Sequence, residues 1–265
     1  MSLYLSELFC YPVKSLGEIS LEQATIDRFG LCQDRRWMVV DDNGHFLTQR
    51  QLPRMVAVGV ERQDSGWLLK AGDCSMTFSE QDVAADCPER VKVWRDTVAA
   101  LPARESINDW LSEQLQHNCR LVYMPESTRR KVDPEYARHG ETLSFADGFP
   151  VLLTCQASLD AFNDHLSQPV EMLRFRPNIV VAGGTAWQED SWRRVRIGAL
   201  EFEVAKPCSR CAIPTINRQT LAREPEVFKA LKDHRSRNGE VYFGQNLLPR
   251  QAGTLQLGDL VDILE

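Results

Sequence analysis

The sequence predicts a mixed β and α+β fold that consists mainly of a β-barrel, and two observations lead to this prediction. Short apolar runs of strand length recur along the chain, and turn-forming residues separate them at close spacing. Only one long stretch, residues 103–116, has the apolar spacing of an amphipathic helix. A polar connector at residues 124–140 then divides the chain. We therefore predict a β-barrel and α+β domain over residues 1–125 and a β-barrel domain over 126–265, with the N-terminal strands contributing to the site of the second.

Composition limits the class of protein. The chain has 265 residues with 43% hydrophobic and 26% charged residues, which is ordinary for a folded globular protein and argues against disorder. Its net charge of −6 gives no support to a nucleic-acid-binding face. The first twenty residues lack the pattern of a signal peptide, and no window approaches the ~18 apolar residues that span a bilayer. The eight cysteines are then expected to be reduced, so we predict a cytoplasmic protein that binds neither nucleic acid nor membrane.

The first strand, residues 3–10, leads into a turn-prone segment that ends with Lys14 and Ser15. Pro12 fixes the backbone of this turn. A lysine ammonium suits a phosphate and a serine hydroxyl can hydrogen-bond to it, although a lysine in a loop is most often only a solvated surface residue. Lys14 and Ser15 are therefore candidates for an anion site.

The next clear strand, residues 38–40, follows the segment 34–37, which contains Arg35 and Arg36. Successive strand residues alternate between faces, so we expect one arginine to point inward and the other to face solvent. An ion pair at the edge of a sheet is as plausible for either arginine as a ligand contact. Residues 41–44 predict a hairpin turn with an Asn-Gly signal.

A small α+β unit should occupy residues 55–123. It contains predicted strands at 55–60, 67–70, 91–98 and 119–123. The helix at 103–116 lies before the last of these strands, and its apolar stripe should be part of the core; the stripe consists of Ile107, Trp110, Leu111 and Leu115.

The connector 124–140 carries a basic triplet, Arg129, Arg130 and Lys131. Such runs are normally solvated, and we expect the same here.

The second half begins with a turn at residues 145–150 that contains Asp147 and leads to the strand 151–153. Ser158 is predicted to cap a helix that extends to about His165. Arg176 and Asn178 come just before the strand 179–181, and loops at strand ends are where binding groups gather. Arg176 offers a planar fork for phosphate or carboxylate.

A strand at residues 200–204 leads to the most unusual chemistry of the chain, the pair Cys208 and Cys211 with Arg210 between them. A neighbouring guanidinium favours the thiolate, the form that binds metals. A zinc site would need a second Cys/His pair, which the sequence lacks, and a redox pair would need a helix that Pro214 opposes. Two buried structural thiols remain possible, as does one thiolate that holds a transition metal within a cofactor. A partly helical segment at 227–231 and strands at 241–247 and 258–264 complete the chain.

Six ordered clusters of residues together resemble the MOSC family, in particular its YcbX-like members and the mitochondrial amidoxime-reducing component. The clusters are Tyr11-Pro-Val-Lys-Ser15, Asp34-Arg-Arg-Trp37, Phe175-Arg-Pro-Asn178, Glu189-Asp-Ser-Trp192, Pro207-Cys-Ser-Arg-Cys211 and Gly258-Asp259. The resemblance implies a MOSC-type β-barrel preceded by a MOSC_N region of α+β character.

The resemblance also implies a molybdenum–molybdopterin cofactor whose metal is bound by Cys211. The residues that would hold the pterin and its phosphate are Lys14, Ser15, Arg35, Arg176, Asn178 and Ser209. Cys208 would pack beside this site. Asp147 is a candidate proton relay and catalytic residue, although an aspartate in such a loop more often only caps a turn.

The function implied by the resemblance is an oxidoreductase that removes oxygen from N-hydroxylated compounds such as amidoximes, hydroxylamines or N-hydroxylated bases. We expect no iron–sulfur cluster within this chain, so a separate reductase with a flavin or iron–sulfur centre should supply the electrons. Residues 217–221 replace an acidic turn found in many relatives, which leaves the shape of the substrate entrance open. The alternatives are a cofactor-binding or sulfur-carrier module without turnover, and a scaffold that has lost the cofactor.

Overall fold

The computed structural model describes residues 2–137 and 139–265, which form mainly β-strands. The strands are β1 (Tyr4–Cys10), β2 (Ile19–Leu21), β3 (Gln23–Asp27), β4 (Gly30–Leu31), β5 (Trp37–Val40), β6 (Gly59–Gln63), β7 (Gly66–Ala71), β8 (Cys74–Phe78), β9 (Glu89–Val93), β10 (Asp96–Pro102), β11 (Arg120–Tyr123), β12 (Val151–Cys155), β13 (Ile179–Ala182), β14 (Arg194–Ile197), β15 (Leu200–Ser209), β16 (Ser236–Arg237), β17 (Glu240–Pro249), β18 (Gly253–Gln256) and β19 (Val261–Ile263). The helices are α1 (Glu105–Leu115), α2 (Gln156–Asn163) and α3 (Pro225–Arg235). Short 3-10 helices occupy Pro53–Ala57, Glu80–Asp82, Met172–Phe175, Gln188–Ser191 and Ile213–Thr215. The predicted strand-rich mixed fold is confirmed.

The largest sheet follows the order β19-β14-β15-β17-β12-β13-β1-β2, with β16 beside β17. Its strands pair antiparallel except for β12 and β13, which run parallel. The two ends of the sheet meet where Tyr4 bridges to Leu260. The amide of Leu5 donates to the carbonyl of Asp259 over 2.8 Å at the same place. The sheet therefore curls back on itself as a partial barrel, and β1 lies among strands from the second half of the chain.

Buried and exposed side chains alternate along the strands of this sheet, as the alternation of apolar and polar residues in the sequence predicts. In β14, Val195 and Ile197 are buried whereas Arg194 and Arg196 are exposed. Successive side chains of a strand point to opposite faces, so one face of β14 joins the core and the other meets solvent. The core between the strands is built mainly from aliphatic side chains, together with Cys155, Trp192 and Phe202.

Two smaller sheets contain only strands from the first half of the chain, with the orders β5-β11-β10-β9 and β6-β7-β8. Helix α1 packs against them through its predicted apolar stripe, all of which is buried. The helix ends at Leu115, and the next residue, Gln116, takes the left-handed conformation that is common after the last turn. The prediction of a helix at 103–116 is thus confirmed, with ends one or two residues inside the expected range.

Two strand predictions in the first half were wrong. Residues 55–60 were predicted as a strand, but the 3-10 helix Pro53–Ala57 occupies the first half of them and strand β6 begins only at Gly59. Proline at the first position of a helix lacks only an N–H that would have no partner there, so Pro53 favours the helical start. Residues 91–98 were predicted as one strand, but the chain turns at Trp94 and Arg95 to form the hairpin β9–β10.

The predicted cap at Ser158 was also wrong. Helix α2 begins at Gln156, and the hydroxyl of the buried Ser158 donates to Glu189 Oε2 over 2.9 Å. Ser158 Oγ in turn accepts the amide N–H of Trp187 over 2.8 Å. Ser158 therefore connects α2 to the segment before β14. None of the helices in the described parts of the chain is both long and apolar enough to cross a bilayer.

Candidate functional site

A cavity of about 300 Å³ lies at one end of the large sheet. Its walls include every residue that the sequence analysis assigned to the site, namely Lys14, Ser15, Arg35, Asp147, Arg176, Asn178, Ser209 and Cys211. These residues come from five separate segments of the chain. The structure thus joins the predicted anion-binding residues and the predicted metal ligand in one space.

The topology explains why these segments converge. β1 ends at Cys10 and runs antiparallel to β13, so the turn with Lys14 lies beside the start of β13, where Arg176 and Asn178 are located. β12 is parallel to β13, which brings the loop with Asp147 to the same end. β15 delivers Ser209 there because it pairs with β17, which in turn pairs with β12.

The backbone is in the left-handed region at three cavity residues that are not glycine. The φ angles are 68° at Ser15, 48° at Arg35 and 55° at Arg176. A residue with a Cβ seldom adopts this conformation, and such positions concentrate at binding and catalytic sites because the surroundings hold them there. The backbone of the cavity is therefore shaped to aim these side chains.

Asp34 accepts hydrogen bonds from three parts of the site, and its side chain is 1% exposed. Its Oδ1 accepts the amide N–H of Tyr11 over 2.8 Å and the side-chain N–H of Asn178 over 3.0 Å. Its Oδ2 accepts from Arg35 Nη1 over 2.5 Å. One buried carboxylate thus fixes the turn after β1, the start of β13 and the guanidinium of Arg35. The sequence analysis quoted Asp34 within a motif but did not assign it to the site.

Arg176 is fixed on one side and free on the other. Its guanidinium lies 4.2 Å from the ring of Tyr11, and Nη1 donates to the carbonyl of Leu16 over 2.8 Å. Its Nη2 is buried and has no hydrogen-bond partner. Burial lowers the pKa of Arg176 to about 10. An unpaired buried N–H of a cation is costly, so this nitrogen is ready for an acceptor that enters the cavity.

Lys14 and Asp147 form an ion pair on the opposite wall. Lys14 Nζ also donates to the carbonyl of Phe145 over 2.8 Å. Burial lowers the pKa of Lys14 to about 8, whereas the ammonium beside Asp147 holds the pKa of that carboxyl well below its usual range against the opposing effect of burial. Asp147 Oδ1 accepts a further hydrogen bond from Trp94 Nε1 over 3.0 Å. Asp147 is therefore held ionised and open to the cavity, where it can accept hydrogen bonds.

The loop that carries Asp147 is held by Arg130, and here the expectation of a solvated basic triplet was wrong for its middle residue. Arg130 is buried and forms an ion pair with Asp96 over 2.7 Å. Its guanidinium donates to the carbonyls of Ser144 (2.9 Å), Asp147 (3.0 Å) and Ala146. A single cation thus replaces the backbone partners that this irregular loop lacks.

Neither of the two neighbouring arginines of the segment 34–37 faces solvent, since Arg36 is buried and the side chain of Arg35 is 12% exposed, so the expectation that one faces solvent was wrong. Arg35 reaches the cavity, and its Nη2 donates to the carbonyl of Arg176 over 3.2 Å. Arg36 points away from the cavity and donates from Nε to the carbonyl of Met124 over 3.1 Å. The left-handed backbone at Arg35 breaks the simple alternation of a strand.

The cysteine segment follows β15 directly, and Cys211 lies half-buried in the cavity wall. A 3-10 helix at Ile213–Thr215 comes next, so neither thiol begins an α-helix. Arg210 Nη1 contacts Cys208 Sγ at 3.1 Å, and its Nη2 donates to the carbonyl of Phe175 over 2.7 Å. Arg210 therefore ties the cysteine segment to the start of β13.

The charges of the cavity are opposite to those of the whole chain. Six cations contribute to its walls, and Asp147 is the one acidic side chain among the described residues that do so. The cations are Lys14, Arg35, Arg50, Arg176, Lys206 and Arg210. Because the chain as a whole carries a charge of −6, this local excess of positive charge marks the cavity as an anion site.

Comparisons with known proteins agree over nearly the whole chain. Residues 2–118 match the MOSC N-terminal beta barrel domain, and residues 140–262 match the MOSC domain. Mitochondrial amidoxime-reducing component 1 of Xenopus laevis is 28% identical, over 97% of this chain and 81% of its own length. Human molybdenum cofactor sulfurase is also 28% identical, over 92% of this chain and 30% of its own length. The solved structure of the YUAD protein from Bacillus subtilis aligns with 98% of this chain and 94% of its own, with 9% identity and a TM-score of 0.47.

Proposed function

Because the chain belongs to the MOSC family, we propose that it is a molybdenum-cofactor-dependent oxidoreductase that removes oxygen from N-hydroxylated compounds such as amidoximes, hydroxylamines or N-hydroxylated bases. Relatives named amidoxime-reducing components, which align over almost the whole chain, support this reaction. The structural observation that carries the proposal is one cavity that joins the Cys211 thiol to the buried Lys14 and to several half-buried arginines.

The residues of the cavity fit an anionic pterin cofactor. The buried Arg176 Nη2 has no partner within the protein and would gain one from a phosphate or pterin oxygen. Lys14, Ser15, Arg35, Asn178 and Ser209 would supply the other donors. Asn178 is itself fixed, because its Oδ1 accepts the amide N–H of Leu152 over 3.1 Å. The site is thus largely formed before any ligand enters.

Cys211 would bind the metal through its thiolate. Within residues 2–137 and 139–265, no three His, Cys, Asp or Glu side chains are grouped so that they could hold a metal ion. A metal at Cys211 would therefore take its other ligands from outside the protein, and soft sulfur ligands of a pterin suit this arrangement. When bound, the molybdenum cofactor would supply the two-electron redox chemistry that this reaction needs.

The protein would contribute protons and orientation. Removal of oxygen from an N-hydroxyl group consumes two electrons and two protons and releases water. Lys14 carries a proton that it can lose close to neutral pH, and its hydrogen bond to Asp147 Oδ1 offers a path for that proton toward the cavity. Asp147 would act as the relay in this path rather than as the primary acid, because its carboxyl is held ionised. The electrons would come from a separate reductase with a flavin or iron–sulfur centre.

A second function is favoured by one finding, the similarity to molybdenum cofactor sulfurase over 92% of this chain. In that case the chain would bind the cofactor or carry sulfur without turnover of its own.

The experiment is to purify the protein from cells that make the cofactor and to measure molybdenum and pterin per chain. Wild type should contain both in equimolar amount, and Cys211→Ala should lose molybdenum while the matched variant Cys208→Ala keeps it. Benzamidoxime reduction with an artificial electron donor then tests turnover. Full molybdenum in Cys211→Ala would refute the ligand assignment, and a loaded wild type that reduces no N-hydroxylated compound would favour the second function.

A further inference from the structure

The hairpin β9–β10 brings an exposed tryptophan to the rim of the cavity. Trp94 is the first residue of its two-residue turn, and its indole N–H donates to Asp147. Nothing in the proposed cofactor site uses this side chain. The tip of the β9–β10 hairpin therefore meets the rim of the cavity at an aromatic ring.

Trp94 adopts a backbone conformation that does not suit it. Its φ angle is 54°, and Arg95, the second residue of the turn, is not in the positive-φ region. A two-residue hairpin turn with positive φ at its first position alone has the pattern of a type II′ turn, where glycine is the usual residue. A bulky residue in this place is strained, and strain that persists is a reason to ask what the side chain does.

The ring is held in place but not covered. The guanidinium of Arg50, itself part of the cavity wall, lies 4.5 Å from the indole centroid, and Phe46 packs at a centroid distance of 5.1 Å. Even so, 44% of Trp94 remains exposed. The other large apolar side chains that are exposed in the described residues lie on β1 or at 257–263, on the seam of the barrel. Trp94 is thus a fixed aromatic surface at the entrance to the site.

We propose that Trp94 is a substrate-positioning residue whose exposed indole stacks against the planar conjugated group of aromatic N-hydroxylated substrates and directs their N–O group into the cavity. This inference rests on the proposed function. Stacking between aromatic rings adds attraction beyond simple area burial, and the acceptor Asp147 beside the indole suits the N–H groups of an amidoxime. Aliphatic N-hydroxylated compounds would gain only the hydrogen bond to Asp147 and not the stacking on the indole.

The test compares benzamidoxime with acetamidoxime in the molybdenum-loaded holoenzyme and in its variants Trp94→Leu and Trp94→Phe. Without an electron donor, each compound is titrated by calorimetry, which measures binding independently of turnover. With a donor, KM and kcat are measured for both. Trp94→Leu should weaken benzamidoxime binding and raise its KM about tenfold, with acetamidoxime changed less than about twofold. Trp94→Phe should retain most of the benzamidoxime affinity because it keeps an aromatic face.

Other outcomes have distinct meanings. If Trp94→Leu and Trp94→Phe weaken both compounds equally, or lower kcat without a change in affinity, the indole acts only by holding Asp147 and the inference is refuted. Unchanged benzamidoxime affinity in Trp94→Leu refutes it as well. If wild type binds benzamidoxime in a Trp94-dependent way but reduces neither compound, the inference on binding stands and the proposed reaction fails.

Discussion

Replacement of Asp34 by asparagine should destabilise the protein strongly, because Asp34 is the buried acceptor that holds three parts of the site together. Asp34 accepts from the amide of Tyr11, the side chain of Asn178 and the guanidinium of Arg35. An asparagine offers one acceptor oxygen in place of two, and its amide group would then face a donor. The side chain of Arg35 is only 12% exposed, so its charge would remain buried without its ionic partner.

The size of the effect follows from this geometry. Removal of one partner from a buried ion pair costs roughly 3–5 kcal/mol, because the other charge is left uncompensated. Arg35 keeps weaker hydrogen bonds to Asn178 Oδ1 and to the carbonyl of Arg176, both at 3.2 Å, so we expect the lower end, about 3 kcal/mol. For a chain of this length that corresponds to a decrease in Tm of roughly 6–12 °C.

The measurement is urea unfolding followed by tryptophan fluorescence, together with calorimetry for Tm. The control is Glu61→Gln, which removes the charge from an exposed ion pair with Lys70 and should change the free energy of unfolding by less than about 0.5 kcal/mol. A loss below about 1 kcal/mol in Asp34→Asn would refute the reasoning, since the carboxylate would then not be holding a desolvated charge. We also expect Asp34→Asn to lose molybdenum, because Arg35 and Asn178 would no longer be fixed.

Three further predictions concern pH and strain. Loading of cofactor-free wild type with isolated cofactor should be weaker at about pH 9.5 than at pH 7, because the pKa of Lys14 is about 8 and the lysine is largely neutral above that value. The control variant Lys14→Arg should show less pH dependence. Equal loading of wild type at both pH values would contradict the role of Lys14 as a cofactor-binding cation. Burial raises the pKa of Glu189, so ionisation of this carboxyl destabilises the folded state as the pH rises above the ordinary pKa of glutamate. Glu189→Gln should therefore have a higher Tm than wild type at pH 7 and lose this advantage near pH 4. Equal Tm values at pH 7 would contradict the destabilising effect of the buried charge. Trp94→Gly should have a Tm within about 3 °C of wild type, because glycine relieves the strain of the turn and this gain offsets the lost packing of the indole. A larger decrease in Tm would show that the indole mainly stabilises the fold.

The helix α1 and the barrel strands could be predicted from the sequence because their signals are local. The stripe of Ile107, Trp110, Leu111 and Leu115 has helical spacing, and β14 alternates buried and exposed residues. The hairpin at Trp94 could not be predicted in this way. Its turn contains no glycine, proline or asparagine, so residues 91–98 read as a single strand.

The eight residues that the motifs and the family resemblance named for the site all line one cavity, and their roles in it stay a prediction. The residues that hold these side chains in place, Arg130 and Asp34, could not be predicted from the sequence. Arg130 stands in a basic run that resembles a solvated surface, and its partners at residues 144–147 become visible only in the folded chain. Asp34 likewise reveals its role through contacts with residues up to 144 positions away. Long-range partners decide whether a charged residue is buried, and a single sequence does not contain them.

Molybdenum binding by Cys211 within this cationic cavity is the core of the proposed function. X-ray absorption at the molybdenum edge tests it most directly, with the purified wild type and Cys211→Ser measured side by side and Cys208→Ser as control. We predict that wild type and Cys208→Ser share one sulfur shell and that Cys211→Ser lacks one sulfur ligand. Identical sulfur shells in all three proteins, or wild type without molybdenum after expression in cells that make the cofactor, would contradict the account.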